Sequence, residues 1–103
     1  MLISKFKKGD VITIKLISAE EVIAEILEDN EEDIVVKRPM TLMIGSKGMG
    51  LQPYMITPEF QDRLNFHKQN ILSMAKTAKD FSDAYLGQTS GIEIAGANDN
   101  LIK

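Results

Sequence analysis

The sequence predicts one small, mainly β domain that ends in a short helix. Three observations predict it. Side chains alternate with period two over residues 11–18, β-branched runs recur between Gly, Pro and Asn/Asp punctuation, and the period lengthens to helical spacing after Thr77. A chain of 103 residues is long enough for one hydrophobic core and short for two domains.

Gly9-Asp10 opens the run VITIKLIS, in which Ile12, Ile14 and Leu16 alternate with Val11, Thr13 and Lys15. After a turn near Ser18–Glu20, EVIAEIL sets Val22, Ala24 and Ile26 against Ile23, Glu25 and Leu27. Helix competes here, because Glu, Ala and Leu favour it. The shortness of the segment and the Asp29-Asn30 pair that follows favour a second strand in a hairpin. Asn30–Asp33 is then the hairpin loop, and IVVKRPMTLMI is a third strand in which Pro39 marks a bend, bulge or edge position.

The run SKGMG at Ser46–Gly50 reads as a flexible loop, and LQPYMIT as a further strand carrying Pro53. LNFHK and NILSMA, from Leu64 to Ala75, form another strand or a tight hairpin around His67–Asn70. Beyond them Ala78, Phe81, Ala84 and Tyr85 recur at helical spacing, with Thr77 as the cap and Gly87 as the stop. The domain therefore takes in residues 1–88. Residues 89–103 read as a flexible tail, in which GIEIAG is a candidate edge strand.

Composition narrows the function classes. Hydrophobic residues make up 44% and charged residues 26%, a globular balance. No apolar run approaches the roughly 20 residues that span a bilayer, and Met1–Lys8 lacks the apolar stretch of a signal peptide, so a cytoplasmic protein is expected, without membrane contact. The absence of cysteine excludes disulfides, thiolate metal sites and thiol nucleophiles. A net charge of -3 argues against a uniformly basic, nucleic-acid-wrapping surface. Eight of the fifteen acids fall between Glu20 and Asp33, whereas Lys5, Lys7, Lys8, Arg63, Lys68, Lys76 and Lys79 lie outside, so the surface is expected to be polarised.

Little in the chain points to catalysis. His67 is the only histidine, so a histidine metal cluster or a Ser-His-Asp arrangement would rest on that one residue. The acids of Glu28–Asp33 lack the ligand spacing and glycine of a calcium loop, and Ser46–Gly50 lacks the spacing and following helix of a phosphate loop. No enzyme activity, metal or cofactor is expected. Met40, Met43, Met49, Met55 and Met74 serve either as core filler or as an adaptable interface, with core the default. Apolar residues on both faces of several strands call for cover from the chain itself or from neighbouring subunits, and a homo-oligomer built through strand edges is the expectation drawn from it.

The order KKGDVITIKLISAEEVIAEILEDNEEDIVVKRPMTLMI resembles the first motif of the Sm-like (LSm) family: a glycine-led strand, a tight turn, a long strand, an acidic turn and a third strand. HKQNILSM resembles the loop and last strand of the second motif, and the likeness over Gly9–Lys76 is strongest to divergent members encoded by bacteriophages, including marine cyanophages. The resemblance implies a strongly bent five-stranded antiparallel Sm-like barrel, rings closed by outer strands pairing between subunits, and single-stranded RNA as a partner. It also implies that His67, Lys68, Gln69 and Asn70 form the RNA-binding loop. Lys68 would neutralise phosphate, His67 stack or donate, and Gln69 and Asn70 read base edges.

The bacterial Hfq branch carries a lysine-histidine pair in that loop; here the order is reversed, His67-Lys68. The family's asparagine after the acidic turn falls near Val35, its stacking residue near Asp33 and its second-strand glycine near Glu25. These departures favour an alternative: a phage-encoded interaction or assembly module that keeps the barrel without RNA binding.

Overall fold

The computed structural model describes residues 6–95, with side chains through Thr89. Six strands precede one helix: β1 (Val11–Leu16), β2 (Glu21–Asp29), β3 (Asp33–Gly45), β4 (Gly48–Pro53), β5 (Leu64–His67), β6 (Ile71–Lys76) and α1 (Lys79–Ala95). All pairings are antiparallel, in the order β4-β3-β2-β1-β6, with β5 bonded to β3. The mainly β class and the C-terminal helix stand as expected. The five-strand count does not: the sheet has six strands and is not closed.

The extra strand follows from the length and bend of β3. Its first part pairs with β5 from Asp33 to Val36, and its second part pairs with β4 from Met40 to Gly45, while β2 runs along its other edge. The break falls at Arg38-Pro39. Arg38 has φ of 51°, a left-handed conformation unusual for a residue with a Cβ, and donates its N–H to Gln61 O at 2.7 Å. Pro39 has no N–H to give, and its carbonyl accepts from Tyr54 at 2.9 Å. Register shifts in β2 between Ile23 and Glu25 and between Ile26 and Glu28 add curl.

The curl encloses the main core. Phe6, Ile12, Ile14, Leu16, Val22, Ala24, Ile26, Ile34, Val36 and Phe66 pack together there, and the alternation read in β1 is observed with Ile12, Ile14 and Leu16 inside. Each such aliphatic side chain stabilises the fold by roughly 1.5–3 kcal/mol. A second cluster of Ile23, Met40 and Tyr85 joins the opposite face of the sheet to α1. The helix therefore supplies part of the cover that two-faced strands demand.

Several local expectations need correction. Ser46–Gly50 is not a loop: Gly45 pairs with Gly48 around a two-residue turn, and Gly48 adopts φ of 121°, which suits glycine. The strand read as LQPYMIT ends at Pro53. Gly87 does not stop α1, which runs on to Ala95; just past it Gln88 Nε2 donates to Leu51 O at 3.0 Å and Thr89 Oγ1 to Tyr85 O at 2.9 Å. GIEIAG is accordingly helical through Ala95 rather than an edge strand, and the tail beyond it lies outside the described residues. Thr77 spends its hydroxyl on Thr13, at 2.9 Å, not on a helix cap. Met40 is core, but Met43, Met49 and Met55 are exposed. Among the described residues no helix is long and apolar enough to cross a membrane.

Candidate functional site

β5 and β6 are consecutive yet do not pair with each other. β5 adds to β3 and β6 adds to β1, and the single 3-10 turn Lys68–Asn70 carries the chain across the gap. Backbone bonds fix that turn at both ends: Lys68 N–H donates to Glu32 O, and Asn70 O accepts from Ile17 N–H, each at 2.9 Å. Asp33 also stands opposite His67 in the ladder. The acidic turn after β2 and the His67–Asn70 turn are therefore neighbours, although more than thirty residues separate them.

The four residues singled out in the sequence do not act alike. Lys68 Nζ lies 2.6 Å from Asp29 Oδ1, in a pair whose side chains are 30% and 5% exposed. Its ammonium is directed at the protein's own carboxylate. Gln69 is exposed. His67 and Asn70 line an open groove of about 320 Å³ together with Ile17, Ser18, Tyr54 and Asn65, over Phe66. The Tyr54 and Phe66 rings sit 5.1 Å apart at 43°, so the groove has an aromatic wall and an imidazole, amide and hydroxyl rim.

A second polar network borders the turn. Arg63 donates to Glu28 at 2.7 Å, Asn30 Nδ2 donates to Asp33 at 2.8 Å and to Glu28 at 3.3 Å, and Asn65 Nδ2 donates to Asp33 at 2.6 Å. The Asn30 amide, followed by that of Asn65, holds the Asp33 carboxyl below its usual range, and the Arg63 hydrogen bond does the same for Glu28. Asn30→Ala should therefore move the Asp33 pKa up toward 3.8, read by carboxyl NMR titration. The sign is that of a lowered carboxylate: its contribution is present above the ordinary pKa and lost as pH falls through the folded one.

The electrostatic balance of this pole is acidic. Glu28, Asp29, Glu31, Glu32 and Asp33 stand against Arg63 and Lys68, and both cations are already paired. Val35 is buried at 1% exposure, and Glu25 faces Lys37 at 3.7 Å. Among the described residues no group of three or more His, Asp or Glu is arranged to hold a metal ion.

Asp29, Ser18, Tyr54 and Asn65 were not read from the sequence as parts of this site. Asn65 arrives through the pairing of β5 with β3 and Tyr54 through its N–H to Pro39 O just past β4, and a single sequence carries no signal for such long-range contacts. No protein-family model matches the chain, and no curated protein does.

Proposed function

We propose that the chain is an Sm-like domain that works by self-assembly, pairing the β5 edge of one copy with the β6 edge of the next to build a ring. The observation that carries this reading is the pair of open edges. Among the described residues β5 is bonded on one side only, to β3, and β6 on one side only, to β1. Leu72, on β6, is 66% exposed. An unpaired strand edge with exposed apolar side chains favours addition of another strand. Leaving β4 aside, the order β5-β3-β2-β1-β6 is that of a bent five-stranded unit with these two strands outermost, which supports the Sm-like reading. The β3–β4 hairpin is then an extension of it.

The module reading takes precedence over RNA binding because of charge. A phosphate approaching the His67–Asn70 turn meets five carboxylates, and the lysine that would neutralise it is held by Asp29. RNA remains the second reading, favoured by the groove: Tyr54 offers a ring face, and His67 and Asn70 offer base-edge partners. Light scattering on the purified protein, combined with uridine-rich and adenine-rich RNA titrations across a salt series, separates the two. The expected result is an oligomer that binds neither RNA at low salt. Saturable binding that weakens steeply with salt would transfer the assignment to the RNA ring. A monomer at every concentration would remove the edge-pairing reading itself.

A further inference from the structure

β4 is an end strand of the sheet, bonded to β3 alone. Its hairpin fixes which of its backbone groups face outward. Gly45 pairs with Gly48 across the turn, and Tyr54 N–H donates to Pro39 O at 2.9 Å. Backbone direction alternates along a strand, so Gly48, Gly50 and Gln52 turn their groups to β3, and Met49, Leu51 and Pro53 turn theirs away. Met49 is 59% exposed, and its cross-strand neighbour Ile44 is 75% exposed. An end strand with outward amide groups and apolar side chains beside them is a template for another strand.

Two of the three outward positions are nevertheless blunted. Pro53 has no N–H to give. Leu51 O, at the middle position, accepts from Gln88 Nε2 of α1 at 3.0 Å. Gln88 is itself exposed, and its amide stands where the N–H of an incoming strand would donate. Because Leu51 is central, an antiparallel partner that pairs with any two consecutive outward residues needs it. β5 and β6 differ: neither contains proline, and among the described residues no side chain bonds to a backbone group of either.

We infer that Gln88 and Pro53 guard the β4 edge against strand addition by a second copy of this chain. The contact they prevent is two-fold, since a strand meeting its own copy antiparallel offers the same groups from both sides. The guard is a tether from α1. Tyr85 anchors the helix at Lys37 O, and Gln88 follows about one turn later, level with Leu51. Where the edge-pairing reading holds, the guard leaves β5 and β6 as the strands through which copies meet. The guard itself goes beyond that reading and acts on a monomer as on a ring.

Opening the edge in the full chain tests it. Gln88→Ala removes the tether, and Pro53→Thr restores an outward N–H in a residue that suits a strand. The double variant is expected to show about twice the original mass by sedimentation, at a concentration where the original mass is steady. Amide hydrogen exchange locates the contact: Met49 and Leu51 N–H should exchange fast in the original protein and at least about tenfold more slowly in the associated variant. Helical dichroism checks that α1 persists, and Gln88→Met, of similar length but without a donor, replaces the alanine where it does not. An unchanged mass in the double variant would overturn the guard. So would a gain in mass with both amides still fast, because the new contact would lie elsewhere. Slow exchange of the two amides in the original protein would overturn it as well, since β4 would then be paired already. If the original protein is monomeric, the edge-pairing reading fails, and the guard still stands or falls on whether the double variant dimerises through β4.

Discussion

Truncating Tyr85 to alanine is expected to cost about 3–5 kcal/mol of stability, in the range found for large aromatic residues in cores. Tyr85 is 1% exposed, packs on Ile23 and Met40, and donates its hydroxyl to Lys37 O at 3.0 Å. It is the principal anchor of α1 on the sheet. Urea unfolding followed by both far-ultraviolet dichroism and tyrosine fluorescence checks the prediction, and a cost under about 1 kcal/mol would show that the helix lies outside the cooperative unit. Tyr85→Phe keeps the ring and removes one hydrogen bond, for roughly 1 kcal/mol.

The same residue sets an alkaline limit. Burial pushes the Tyr85 hydroxyl up from 10.0 to about 12. The unfolded chain releases this proton first, so the contribution is complete below the ordinary pKa and is lost as pH rises through the folded one. Stability should therefore slope downward between about pH 10 and pH 12 in the original protein. Tyr85→Phe should flatten that slope, which distinguishes the titration from general alkaline repulsion.

The strands were legible where alternation was local. Ile12, Ile14 and Leu16 face one way because a strand has period two, and neighbouring residues alone encode that. The preference for strand over helix in EVIAEIL also held, since β2 is flanked by β1 and β3 and gains their ladders. What the sequence did not disclose depends on partners far along the chain. Gly87 stays helical because Gln88 and Thr89 find acceptors on β4 and in the preceding turn of α1. β5 and β6 look like a hairpin over a short turn, but β1 and β3 each offer a longer edge, and the two strands part to take them.

The candidate site divides in the same manner. The turn itself was readable from His67 to Asn70, and the acidic turn from Glu28 to Asp33. That the two meet, and that an aspartate from one holds the lysine of the other, is a contact between residues 39 apart. The resemblance assigns Lys68 to phosphate, and the plain alternative is a solvated turn lysine. The fold gives it a carboxylate that is 5% exposed.

That pairing leads to the prediction that bears most on function. Lys68→Ala is expected to lower stability by about 1–3 kcal/mol, because a charge-assisted hydrogen bond to the 5% exposed Asp29 carboxylate is lost. A solvated turn lysine would cost less than about 0.5 kcal/mol on the same substitution. Asp29→Asn removes the carboxylate's charge, so Lys68→Ala made in that background should cost less, and the difference measures the coupling. The same Asp29→Asn variant frees the Lys68 ammonium and makes the acidic pole less negative. If affinity for single-stranded RNA then rises, and falls again on adding Lys68→Ala, the turn is a nucleic-acid site restrained by Asp29. If RNA is ignored in every background while the oligomer persists, the pair is a structural clamp. Its role would then be to hold the 3-10 turn so that β5 and β6 present their edges to other copies.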